Sequence, residues 1–340
     1  MRISDWSSDV CSSDLVTTLE RNDKWWGAAP KLETVTLHVL DDSAMGQAFA
    51  NKEIDVLDYI FSADVYQQAS GRDDAEVRQN TGLQWRHIMF NASSGPLADK
   101  AVRQAITRAC DREAIAASDL AGLPVDAKKT LMGNRFFLPV QEGYQDNSTS
   151  WGHDVEAAKK LLDGAGWVAG SDGVRAKDGT KLELVMTIPS NAPVATNEAN
   201  LLQKQLGEVG IKLSVSTVEI DKYFPEYINK KNYALTAFTT ENTQYPLANV
   251  GQYYASTSQS NYTGLSVPEV DQHVAKIGST PDGAERNKLA NELDKILWEN
   301  VFNIPIYQRM QLTAVPKTLR NFGAQGLASF RPESIGYVKS

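Results

Sequence analysis

Apolar and polar residues alternate through LETVTLHVL, residues 32–40, and place Val35, Leu37 and Val39 on one face, as a half-buried strand requires. Behind it, DDSAMGQAFANKEIDVLDYI offers Asp and Ser as N-caps. It predicts a helix through Ala48 and Phe49, then a second strand over Ile54 to Tyr59. After a polar stretch, LQWRHIMFN reads as another strand. Gly95-Pro96 breaks it before a helix from about Lys100 to Ala117, whose inner face is Val102, Ala105, Ile106, Ala109 and Cys110. Periodicity fades between Leu120 and Gly152, where Gly, Pro and Asn signals predict an ordered loop region over a surface or cleft.

It returns at Asp154, an N-cap opening DVEAAKKLLDGAGW, with Val155, Ala158, Leu161 and Leu162 inward and Gly164 and Gly166 as terminators. A strand (KLELVMTIP), a helix (TNEANLLQKQLGEVG), a strand (IKLSVSTVEI), a short helix (KYFPEYINKK) and a strand (YALTAF) follow. Such alternation argues for an α/β lobe. Two more helices, VPEVDQHVAKIG and DGAERNKLANELDKILWEN, lead to a strand at NIPIYQ and a last extended piece, MQLTAVP. There is no internal repeat and no low-complexity linker.

The first residues stand outside this pattern. DWSSDVCSSDL, from Asp5 to Leu15, is the translation of a common sequencing-adapter DNA, and residues 1–14 are set aside as a non-native leader. Cys11 goes with them, leaving Cys110, which cannot form an internal disulfide and reads as a small buried hydrophobe. The formal net charge of −8 falls to about −6 without Arg2, Asp5, Asp9 and Asp14. An acidic chain without a basic stripe excludes nucleic acid as a partner class. No apolar run approaches the roughly 18 residues of a membrane span.

No nucleophile elbow, zinc-protease helix, phosphate-binding loop or dinucleotide-binding glycine pattern occurs. His38, His87, His153 and His273 are scattered without metal-ligand spacing and read as surface or satisfied core residues. The carboxylate pairs Asp41-Asp42 and Asp73-Asp74 read as turn or cap charge. The expectation is a protein without catalytic residues, metal or cofactor.

Several stretches together carry a family resemblance: LERNDKWWG at residues 19–27, KEIDVLD, MFNASSGPLADKAVRQAITRACDREAI at residues 89–115, DVEAAKKLLDGAGW, LLQKQLGEVGIKLSVSTVE, NYTGLSVPEVDQHVAKI and ERNKLANELDKILWENVFNIPIYQ. In order and spacing the chain resembles the extracytoplasmic solute-binding proteins of peptide-type ABC importers, family 5. GYQDN and NYTG are closest in phrasing to actinobacterial members. The resemblance implies an α/β, two-lobed clamp of the periplasmic-binding-protein type, incomplete here at its N-terminus. One lobe would hold residues 15–90 and 311–340, the other residues 91–310, with crossing strands at Ile88–Asn91 and Ile306–Thr313. It implies a monomer that captures a small solute, a peptide or something similar, outside the cytoplasmic membrane. Delivery would be to ABC permease subunits, with membrane association only through an N-terminal anchor not in this sequence. A regulatory or interaction lipoprotein with the same fold is the alternative, and a chain lacking part of one lobe would leave apolar surface uncovered.

In relatives, the segment after the strand matching YALTAF carries a Trp and an acidic residue that meet the ligand. This chain reads TAFTTENTQYPLANVGQYY there, without the Trp. Thr239, Thr240, Glu241, Asn242 and Tyr245 supply hydroxyl, carboxylate, amide and aromatic groups suited to a polar ligand. Glu241 suits a cationic ligand end, or is an ordinary loop carboxylate. Trp85 and Asn91, near the first crossing, and Asn134, in the aperiodic middle, are further candidates, whereas Trp25, Trp26, Trp167 and Trp298 are expected to pack. The missing Trp leaves peptides, opines, sugars and lipid-linked compounds open as substrates.

Overall fold

Along the chain of the computed structural model, which describes residues 6–8, 16–329 and 331–338, strands β1 (Trp6–Ser8), β2 (Val16–Arg21) and β3 (Thr34–His38) come first. Helices α1 (Asp42–Ala50) and α2 (Ala63–Ser70) lead to the long strand β4 (Ala75–Phe90). Next come α3 (Lys100–Ala109), α4 (Arg112–Asp119) and α5 (Val155–Gly164), then three short strands, β5 (Val168–Ala169), β6 (Arg175–Lys177) and β7 (Thr180–Lys181). A strand-helix-strand unit follows: β8 (Glu183–Pro189), α6 (Pro193–Gly207) and β9 (Lys212–Val218). After α7 (Ile220–Lys222) and a π turn (Tyr223–Ile228) come β10 (Leu235–Glu241), α8 (Val250–Tyr254), α9 (Pro268–Ser279) and α10 (Gly283–Asn300). The long strand β11 (Asn303–Pro316) and the small strands β12 (Leu319–Arg320) and β13 (Gly336–Tyr337) end the chain.

The chain divides into two compact units. The first comprises residues 1–83, 120–125 and 310–340, the second residues 84–119 and 126–309. The seam on β4 therefore falls earlier than the expected boundary after residue 90, and residues 120–125 join the first unit.

In the first unit β1, β2 and β3 form an antiparallel sheet in that order. β1 lies inside the stretch set aside as foreign; it pairs with β2 because strand pairing uses backbone groups that every residue carries. β3 confirms the predicted strand but not its burial, since Leu37 is 45% and Val39 67% exposed. The core of this unit is Phe49, Leu57, Ile60, Val65 and Ala69 with Leu312 and Ala314 from β11. The predicted strand at Ile54–Tyr59 is not a ladder strand. Leu57 forms one isolated bridge with Ala314, and Ile60 N–H donates to Leu312 O at 3.0 Å.

In the second unit a five-stranded mixed sheet runs in the order β11-β4-β10-β8-β9. β10 is antiparallel to β4, while β8 is parallel to both β10 and β9, the α6 crossover making the latter pair possible. The predicted helix from Lys100 is split. Cys110 is extended, and Asp111 accepts from Ala114 N–H to start α4, so a competing N-cap overrides the continuous apolar face. That face is still buried as expected, including Cys110, whose thiol is pushed up to about 12 by burial and is no nucleophile. Asp154 caps α5 by accepting from Ala157 N–H, and Gly166 follows at φ +83°, as the sequence predicts.

The aperiodic middle is one of the most buried parts of this unit. Met132, Asn134, Arg135, Phe136, Phe137 and Leu138 are all buried. Polar bonds rather than periodicity hold it: the Arg135 guanidinium meets Asp294 at 3.0 Å and stacks on Trp298 at 4.3 Å, and neither charged side chain is exposed. Gly133 is required here, because a Cβ would lie 2.0 Å from Asp146 Oδ1. Trp167 and Trp298 pack as expected, but Trp26 is 88% exposed, its ring 4.8 Å from that of Trp25.

Candidate functional site

β4 and β10 supply the floor of a pocket of about 250 Å³ that lies wholly within the second unit. Side chains alternate across a strand, so Trp85, His87 and Met89 share one face of β4, and Phe238 and Thr240 share the matching face of β10. The antiparallel register sets Thr240 opposite Trp85 and Phe238 opposite His87. Trp85, Met89, Phe238 and Thr240 line the pocket together with Thr239, Glu241, Asn242 and Tyr245. The walls add Arg135, Phe136, Phe224, Tyr253, Tyr254 and Tyr262. Aromatic bodies thus surround a short polar strand end, the composition of a small-molecule site.

The polar groups are not equally free. Trp85 Nε1–H donates to Asn242 Oδ1 at 3.0 Å, and Asn242 Nδ2 donates to the Phe136 carbonyl at 3.0 Å. Asn242 therefore ties the indole to the middle segment, and both its amide groups are engaged in doing so. Arg135 carries charge into the wall, but Asp294 neutralises it and Asn303 accepts from its Nε at 2.6 Å. Glu241 is exposed at the rim, with no ion pair among the described residues, and Tyr245 is 74% exposed there.

One flank of the strand end has no ladder partner among the described residues. β10 pairs with β4 over its whole length, but with β8 only at Leu235 and Thr236. Residues Thr239–Glu241 therefore run beyond their pairing with β8 among the described residues, along the pocket wall.

The opposite face of the same strands holds buried charge. Arg86 Nε donates to Glu198 at 2.9 Å and its Nη2 bonds the second carboxylate oxygen, while Nη1 reaches Thr239 Oγ1 at 3.3 Å. Nearby, Asp119 is raised to about 7, first by burial and then by the Glu198 charge, against the opposing hydrogen bonds of Asn197 and Tyr307.

Six of the eight candidate residues read from the sequence therefore meet in one pocket: Trp85, Thr239, Thr240, Glu241, Asn242 and Tyr245. Two do not. Asn134 is fully buried away from the pocket, donating to Gln145 O and Asn291 Oδ1 and accepting from the N–H groups of Phe136 and Phe137. It is the clasp that orders the middle segment. Asn91 donates to Lys231 O at 2.7 Å and accepts from Ser93, fastening the turn after β4. Met89 and Phe238 were missed, although the alternation from Trp85 and Thr240 marks them. Arg135 and Phe136 lie in an aperiodic stretch without such a signal.

No group of three or more metal-ligating side chains occurs among the described residues, and no helix there is long and apolar enough to cross a membrane.

The sequence profile described as "Bacterial extracellular solute-binding proteins, family 5 Middle" matches residues 10–263. This chain belongs to that family of solute-binding proteins. Within family 5, it is 33% identical over 322 residues to the oligopeptide-binding protein OppA of Mycobacterium tuberculosis, covering 94% of this chain and 54% of the relative. The chain thus spans about half the length of the curated relatives it matches. Two solved family-type folds superpose well. The periplasmic EDTA-binding protein EppA has a TM-score of 0.88 at 23% identity, over 99% of this chain and 64% of that one. The oligopeptide-binding protein AppA of Bacillus subtilis, solved with a nonapeptide, has a TM-score of 0.83 at 21% identity, over 98% and 66%. At these identities the structures establish the fold, and their differing ligands show that the fold alone does not select the solute.

Proposed function

We propose that this family 5 protein captures a peptide or similar small polar solute in the pocket of its second unit, as the binding component of an ABC importer. The observation that carries this reading is the polar strand end Thr239–Glu241, which leaves its pairing with β8 at the wall of an aromatic pocket. An extended peptide can add to such a strand by main-chain hydrogen bonds while its side chains enter the pocket. The relatives named as oligopeptide-binding proteins, and AppA with its nonapeptide, support the same class of ligand. Trp85, Thr239, Thr240, Glu241 and Tyr245 form the contact set, and Asn242 orients Trp85.

In this reading the protein works outside the cytoplasmic membrane as a monomer and passes its solute to permease subunits. The two units are the two lobes of the family's clamp. Native mass spectrometry of the chain with a tetrapeptide library tests the ligand class. Capture of library members, weakened by Trp85→Ala, is expected. Capture of none, with binding of a sugar or metal chelate instead, would refute the peptide assignment.

A further inference from the structure

The side chain of Thr240, at β10's polar end, shares its face with Phe238, and His87 lies against it. His87 Nε2 is 2.9 Å from Thr240 Oγ1. The imidazole is 1% exposed and sits between the rings of Trp85 and Phe238, at 4.9 and 4.4 Å. Its Nδ1 is buried without a hydrogen-bond partner among the described residues.

A neutral imidazole has one N–H and one lone pair, so two tautomers compete. With the proton on Nδ1, a buried donor is orphaned. With the proton on Nε2, the orphan is an acceptor lone pair, which proteins tolerate more readily. The Nε2–H then donates to Thr240 Oγ1, and no protein group among the described residues takes the proton of Thr240 in turn. That proton is left for the pocket.

Resting on the reading of this pocket as the ligand site, we propose that His87 is a positioning residue whose Nε2–H holds the Thr240 hydroxyl as a donor toward a carbonyl or carboxylate oxygen of the ligand.

The surroundings keep the ring neutral. Burial, followed by the charges of Arg86 and Arg135, lowers the His87 pKa to about 3. The carboxylates beside those guanidiniums, Glu198 and Asp294, are already engaged by them. On the other face the same polarity is imposed without ambiguity. A guanidinium can only donate, so Arg86 makes Thr239 Oγ1 an acceptor. The Trp85 N–H and the Asn242 amide are engaged with each other and with Phe136, so neither competes for the same ligand atom. A peptide carbonyl running beside β10 is a suitable acceptor; a group with donors alone is not.

The chain has four histidines, and nitrogen-15 labelling of histidine with a long-range proton–nitrogen correlation reads each tautomer directly. The signal lost in His87→Gln identifies His87. The expected spectrum shows a neutral ring protonated on Nε2 that does not titrate between pH 5 and 8. The binding arm uses the tetrapeptide library. Thr240→Val is expected to weaken capture roughly three- to tenfold, the worth of one hydrogen bond, while Thr240→Ser keeps it. His87→Gln, whose amide still donates, is expected to retain capture better than His87→Phe. A proton on Nδ1, titration near the ordinary histidine value, or unchanged capture by Thr240→Val would each overturn the proposal. Failure of the unsubstituted chain to capture any library member would instead remove the peptide reading, and the imidazole spectrum would still decide how Thr240 is held.

Discussion

Strands β3 and β4 are built alike, each antiparallel to a neighbour and each carrying alternating apolar side chains, yet they end in different surroundings. Leu37 on β3 and Val39 just beyond it face solvent, whereas every side chain of β4 from Trp85 to Phe90 is buried. A strand's pleat decides which side chains share a face, but only a second layer decides whether that face is dry. β4 has one on both sides: α6 brings Glu198 against Arg86, and Tyr223 packs with Met89 and Phe238 on the pocket side. The buried strand can therefore hold charge, indole and imidazole in fixed bonds, and that is where the pocket forms.

The comparison breaks most sharply at the polar clasp. Asp294→Ala leaves Arg135 buried and unpaired, and is expected to cost about 3–5 kcal/mol in urea unfolding followed by tryptophan fluorescence. A loss below 1 kcal/mol would show that the clasp does not order the middle segment. Asn242→Ala strips partners from Trp85 Nε1 and the Phe136 carbonyl, with an expected cost of about 1–3 kcal/mol and weaker ligand capture.

Asp119→Asn tests the buried acid near the charged face. A carboxyl whose folded pKa is raised to about 7 binds more protons folded than unfolded between the ordinary aspartate value and that point. Its contribution to stability is complete below pH 4 and falls as pH rises toward 7. His87 runs the other way. Its neutral ring contributes fully above the ordinary histidine value, and the contribution is lost as pH falls toward about 3. Asp119→Asn is therefore expected to gain stability relative to the unsubstituted chain at pH 8 but not at pH 4, as measured by thermal melts at both values. An equal shift at both would remove Asp119 from the account. At the small end, Leu37→Thr with Val39→Thr is expected to change unfolding by no more than about 0.5 kcal/mol, since neither side chain is covered. A loss above 2 kcal/mol would mean the β3 face is buried in solution.

These contrasts mark what the sequence could carry. Helix α5 was legible because Asp154 and Gly166 act locally, and β8, α6 and β9 because their periods are long and clean. The strand expected at Ile54–Tyr59 failed because apolar spacing there serves one bridge to Ala314 and a core contact, not a ladder. The continuous helix expected from Lys100 to Ala117 failed at Cys110 because a cap at Asp111 outweighed a continuous apolar face. Family resemblance pointed to Thr239, Thr240, Glu241, Asn242 and Tyr245, and position near a crossing strand to Trp85, which the fold brings to one pocket. Asn134 could not be told from a ligand contact, because its partners, Gln145 and Asn291, are joined to it only by the fold.

Hydrogen exchange with and without a captured tetrapeptide tests the central claim, that the β10 end and the β4 pocket face bind the solute. The expected result is slowed exchange at residues 239–245, with little change on β3. Peptide bound with no protection at residues 239–245 would contradict it.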